Sequence, residues 1–213
     1  MLTAKTAGGW PSVSFARAFE AVLWYNTSAA YESAKKEEWE MFNVGDYIIY
    51  GSNGVCRVEA VGVPEISALK KSGKTYYTLC PVGSTETIYI PVDTKIFMRP
   101  IIGREEAEEL IEAIPTIDGE VCYISSPRVR SDFYKEFMDS HECEDLVKLI
   151  KSIYAKGKSD AGAGKTQSSI DKRFMEKAEK TLYSELSLAL GISEDDVVDY
   201  IADRCSSKKS REN

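Results

Sequence analysis

Met41-Phe42-Asn43-Val44-Gly45-Asp46-Tyr47-Ile48-Ile49-Tyr50-Gly51-Ser52-Asn53-Gly54-Val55-Cys56-Arg57-Val58 reads as two β-strands joined by a tight turn. Val44, Tyr47, Ile48, Ile49 and Tyr50 are β-branched or aromatic, the residues that fit a pleated, half-buried surface. Ser52-Asn53-Gly54 supplies the turn chemistry between them, with a glycine free to take positive φ.

Working downstream, the same signals predict strands over Val44–Tyr50, Gly54–Val63, Thr75–Pro81, Glu86–Pro91 and Ile96–Arg99. Lys70-Lys71-Ser72-Gly73-Lys74 and Gly83-Ser84 are the intervening turns, and Pro91 stands where a strand should end. Five short strands in about 60 residues suggest a bent sheet or SH3/Tudor-like barrel over residues 41–99. Unless the barrel closes, at least one strand edge is free. From Pro100 and Gly103 the pattern becomes helical. Helices are expected over Arg104–Ile114, stopped by Pro115, over Val129–Asp139 and over Cys143–Ala155. Phe133, Phe137 and Met138 should face inward on the second, and Leu146, Leu149, Ile150, Ile153 and Tyr154 on the third. Gly157–Gly164 reads as a flexible loop. The longest helix should run from an N-cap at Ser169 to Gly191, and Ser193 should cap a final acidic helix. The fold class is therefore α+β: a small β-domain (41–99), an all-α domain (100–205) and a charged tail (206–213).

Residues 1–40 differ from the rest. They hold all three tryptophans, Trp10, Trp24 and Trp39, and show no clear periodicity. Codons for Lys35-Lys36-Glu37-Glu38 can spell a purine-rich ribosome-binding sequence just ahead of Met41. The expectation is that Met41 is the native start and that residues 1–40 are an upstream extension.

Five scattered cysteines, no C-x-x-C pair and a single histidine, His141, offer no set of closely spaced zinc ligands. Free thiols of this kind fit a reducing cytoplasm. No apolar run approaches the ~20 residues of a membrane span. A net charge of −7 argues against indiscriminate nucleic-acid binding, yet residues 146–180 carry nine Lys/Arg against four acids. Gly162-Ala163-Gly164-Lys165-Thr166 imitates the end of a phosphate-binding loop. It lacks the earlier glycine, where Ser159 stands, and the preceding strand that would aim its backbone N–H groups. Cys143 and His141 are too close along a helix start to face each other as nucleophile and base, and no orienting acid is evident. The carboxylate pairs Glu105/Glu106 and Asp195/Asp196 sit in helix first turns, where the dipole accounts for them. No catalytic, metal or cofactor site is expected.

The motif V-G-D-x-[IV]-[IV]-Y-x-x-x-G-[VI], with Tyr76/Tyr77–Leu79 and Ile88-Tyr89-Ile90-Pro91, resembles the RNA-polymerase-interacting domain of CarD-like bacterial transcription regulators, which transcription-repair coupling factors share. Leu146–Tyr154, Asp171–Ala178 and Leu186–Ala189 resemble the helical domain of CarD-like regulators, and helicase motifs of a coupling ATPase are absent. The resemblance implies a β-domain that adds an edge strand to the polymerase β-subunit, through the strand around Val63, Glu65 and Ile66 and through Ile88, Tyr89 and Ile90 of the Glu86–Pro91 strand. Where the family often has arginines at this contact, this chain has Pro64 or Glu65 and Tyr89. It further implies a helical domain on the minor groove and phosphates of promoter DNA, through Pro127, Arg128, Arg130, Lys156, Lys172 and Arg173. The tryptophan that relatives wedge into the DNA fork is replaced by Pro127 or a neighbour. That loss, with the acidic Glu194–Asp203 surface, supports an alternative: a polymerase-bound adaptor whose helices recruit a protein.

Overall fold

The computed structural model describes residues 42–119 and 121–211. The expectation about residues 1–40 lies outside the described residues.

Strand β1 (Tyr47–Tyr50) runs through a 3₁₀ turn at Gly51–Asn53 into β2 (Val55–Gly62). Gly54 closes that turn at φ +73, where a side chain would be strained. A one-turn helix, α1 (Ser67–Lys70), precedes β3 (Tyr76–Pro81), β4 (Ile88–Pro91) and β5 (Met98–Pro100). All pairings are antiparallel, in the order β4-β3-β2-β1-β5, so β4 and β5 are the edges.

Alternation along these strands sends Ile48, Tyr50, Cys56, Val58, Tyr77, Leu79 and Ile90 to one face, where they form a closed core with Ile88 and Met98 packed against it. Residues of both edge strands meet in that cluster, so the sheet wraps around its own apolar face, as a small Tudor-like barrel does. The register of β2 on β3 shifts between Val58 and Ala60. This extra residue keeps Val61 on the core face beside Tyr77; strict two-residue alternation would have placed Ala60 there.

The helices are α2 (Arg104–Ala113), α3 (Pro127–Asp139), α4 (Cys143–Gly162), α5 (Ser169–Leu190) and α6 (Val197–Arg211). They share a second core built on Ile111, Tyr134, Leu149, Ile153, Leu182, Leu186 and Val197. Pro127 opens α3 at a first-turn position, where its missing N–H costs nothing. Ser168, one residue earlier than expected, caps α5: its Oγ accepts from the Asp171 N–H at 3.2 Å. Gly191 ends α5 in the left-handed region, as expected.

Three other expectations are corrected. The segment Val63–Ile66 is not a strand; Pro64 has no N–H to continue the ladder, and β2 stops at Gly62. The helix expected to end at Ala155 continues to Gly162. Lys156 and Asp160 pair across its next turn, and Gln167 packs over Gly157, so tertiary contact overrides the glycine. Tyr154 is exposed, with the Lys158 ammonium 4.6 Å above its ring, and Val147 takes the buried place.

Candidate functional site

Two surfaces hold the expected binding residues. The first is the β4 edge. Val92 donates to the Thr75 carbonyl at 3.1 Å, and the register pairs Ile90 with Tyr77 and Ile88 with Leu79. In an antiparallel ladder bonded pairs alternate, so Ile88 and Ile90 turn their backbone groups toward β3. Tyr89 turns its N–H and C=O outward. Ile90 is buried, Ile88 is half-buried, and the Tyr89 side chain lies exposed on the opposite face of the sheet. The arrangement offers an incoming strand one residue with both backbone groups available. Pro91 follows immediately and carries no donor, which keeps the open stretch short. Val63, Glu65 and Ile66 are exposed as well, but they sit in the loop between β2 and α1, outside the ladder.

The second surface is formed where α3 and α5 begin. It is organised by Asp171, which is only 1% exposed. The Asp171 carboxylate pairs with Arg130 Nε at 3.1 Å and Lys156 Nζ at 2.8 Å, and it accepts from the Tyr134 hydroxyl at 3.2 Å. Arg130 also donates to the Ile124 carbonyl at 3.2 Å and to Ser168 Oγ at 3.1 Å. Lys156 reaches Asp160 at 2.6 Å. Burial works against the Lys156 ammonium, but its bonds to Asp160 and Asp171 outweigh this and hold its pKa above the ordinary lysine value. The bond from Lys156 in turn holds the Asp160 carboxyl below the usual carboxylate range. Burial and the Asp171 charge push the Tyr134 phenol up, so it stays a neutral donor.

Arg130 and Lys156 are both buried and balance Asp171 and Asp160 inside the helical core, whereas the resemblance implied that they face DNA phosphates. The same bonds draw the first turns of α3 and α5 together. Pro127, Arg128, Lys172 and Arg173 are all exposed on those two turns. Arg173 lies over the Phe174 ring at 5.2 Å. Val129 is half-exposed, and Tyr123, in the loop before α3, is 73% exposed. Nothing in the sequence marked Tyr123, because a lone aromatic in a loop has no period to break; only its exposure singles it out.

Among the described residues no group of three His, Cys, Asp or Glu is placed to hold a metal ion, and no helix is long and apolar enough to cross a membrane. Cys143 is buried and donates to Glu185, and burial followed by the Glu185 charge raises its pKa, which favours the neutral thiol.

The family comparison meets the first surface. Residues 42–102 match the model of the CarD-like/TRCF RID domain, a span that contains the whole sheet and both of its edges. The RID is an RNA-polymerase-interacting domain, which ties the chain to transcription. Residues 42–102 thus form a CarD-like/TRCF RID domain, a match that supports a CarD-like family member.

Proposed function

We propose that the chain is a transcription regulator that grips the RNA polymerase β-subunit by strand addition at β4 and rests the α3/α5 end of its helices on promoter DNA, tuning the lifetime of the open complex. The observation that carries the reading is the free Tyr89 backbone on an edge strand of the matched domain. An extended β-subunit segment pairing there gains main-chain bonds that do not depend on arginine side chains, so the departure at Tyr89 leaves the grip intact.

The DNA half rests on charge and geometry. Two helix N-termini, each the positive end of a macrodipole, lie together with Arg128, Lys172 and Arg173 exposed on them. Phosphate contacts of this kind give affinity without sequence preference. Pro127, Val129 and the exposed Tyr123 are the apolar groups at that end, and minor-groove binders insert such side chains between base steps. Binding the open form more tightly than the closed form shifts the population toward it.

The test pairs a pull-down on β-subunit fragments with measurement of open-complex lifetime on a promoter. Retention of the chain by the β-subunit, with a lifetime changed by the parent and restored toward the polymerase-alone value by Lys172→Ala/Arg173→Ala, is the expected result. A lifetime unaffected by the parent protein would overturn the DNA half. Fluorescence anisotropy on fork DNA with polymerase present then separates DNA contact from recruitment of another protein.

A further inference from the structure

One buried carboxylate bonds the sheet to several of the helical elements at once. Glu185, from the C-terminal half of α5, has 0% exposure. Its Oε1 accepts from Arg99 Nη1 at 2.5 Å and from the Ile102 N–H at 3.0 Å. Its Oε2 accepts from Arg99 Nη2 at 3.0 Å and Cys143 Sγ at 3.2 Å. Arg99, on the edge strand β5, also donates through Nε and Nη2 to the His141 carbonyl at 3.0 and 2.6 Å, and through Nη1 to Pro100 O at 2.9 Å. Strand β5, the lead into α2 and the first residue of α4 thus converge on a single α5 side chain, and Arg99 ties the α3–α4 turn to the same point. A two-pronged guanidinium–carboxylate pair fixes orientation as well as distance. A buried pair of this kind adds geometric definition more readily than net stability. Beside it a cavity of about 20 Å³, lined in part by Ile49, Gly54, Met138 and Thr181, leaves the surrounding packing incomplete.

We propose that Arg99 and Glu185 are positioning residues that lock the angle between the β4 edge and the α3/α5 end. Polymerase grip and DNA contact then act as one rigid arm. The proposal rests on the function proposed above, but its primary test does not.

Backbone residual dipolar couplings on the full chain supply that test. In the parent, one alignment tensor fits both the sheet amides (47–100) and the helix amides (104–205). Arg99→Lys keeps the charge and leaves Glu185 its other donors but loses the fork; Arg99→Met/Glu185→Met removes both charges. Each is expected to keep the native amide dispersion and thermal midpoint while losing the single-tensor fit. A single tensor retained by both variants, two tensors in the parent, or global unfolding of both variants would each overturn the proposal. In the lifetime assay the variants should keep β-subunit retention and lose the effect on the open complex. A parent with no effect on lifetime defeats the proposed function and leaves the tensor result standing.

Discussion

At the scale of single residues, Asp171 organises the charge inside the helical core, because two cations and a phenol depend on it. Asp171→Asn keeps the volume and removes the charge, leaving Arg130 and Lys156 buried without full compensation. Breaking a buried ion pair in this way costs about 3–5 kcal/mol. Urea unfolding should show that loss, whereas Asp93→Asn, which breaks the exposed pair with Lys74, should leave the midpoint unchanged. Equal effects of the two substitutions would contradict the structural role given to Asp171. The single histidine permits a second measurement. His141 stacks on Phe97 with ring centroids 4.5 Å apart. Burial lowers its pKa below the ordinary 6.5, with Arg99 and Lys177 helping while Asp139 and Glu142 oppose them. A base whose pKa falls on folding contributes stability that is present above its unfolded value and lost as pH drops below it. The imidazole resonance should therefore titrate with a midpoint below 6.5, and folding stability should decline as pH falls through that region. A midpoint at or above 6.5 would refute this.

Among the elements, β4 makes the sharpest case, because its two backbone faces do different things. Tyr89→Pro deletes an N–H that the sheet does not use, and edge strands tolerate proline where the N–H faces solvent. The expected outcome is a folded protein with an unchanged thermal midpoint that no longer retains the β-subunit. Tyr89→Ala, which keeps the N–H, should retain it. Loss with alanine and retention with proline would mean that the side chain, not the strand edge, makes the contact. The strands were readable because apolar alternation and turn glycines agree locally. Pro64 is the local signal that the ladder stops at Gly62, and the resemblance, which places a strand around Val63–Ile66, runs against it. The long α4 was hidden for the opposite reason: Gly157 and Gly162 suggest a break, and only Asp160, Asp171 and Gln167 in space hold the helix through it. The same blindness affected the candidate site. A run of lysines and arginines looks uniformly basic in sequence, yet Arg130 and Lys156 are neutralised by a carboxylate on another helix, while Arg128, Lys172 and Arg173 remain outside.

For the whole molecule, a net charge of −7 sets the limit on unaided DNA binding. Under the proposed function, three exposed cations on two helix ends act against that net charge, and polymerase held at β4 supplies the local concentration of DNA. Each phosphate contact to duplex DNA releases counterions and steepens the salt dependence of binding by about 0.9 in log–log slope. With polymerase bound, Lys172→Ala/Arg173→Ala/Arg128→Ala should flatten the salt slope of fork-DNA anisotropy by about 2–3 relative to the parent protein. Arg130→Ala should leave the slope unchanged and lower the unfolding midpoint instead, because its charge is committed to Asp171 inside the fold. A slope that follows Arg130 and ignores Lys172 and Arg173 would place the DNA on a different face and remove the α3/α5 end from the mechanism.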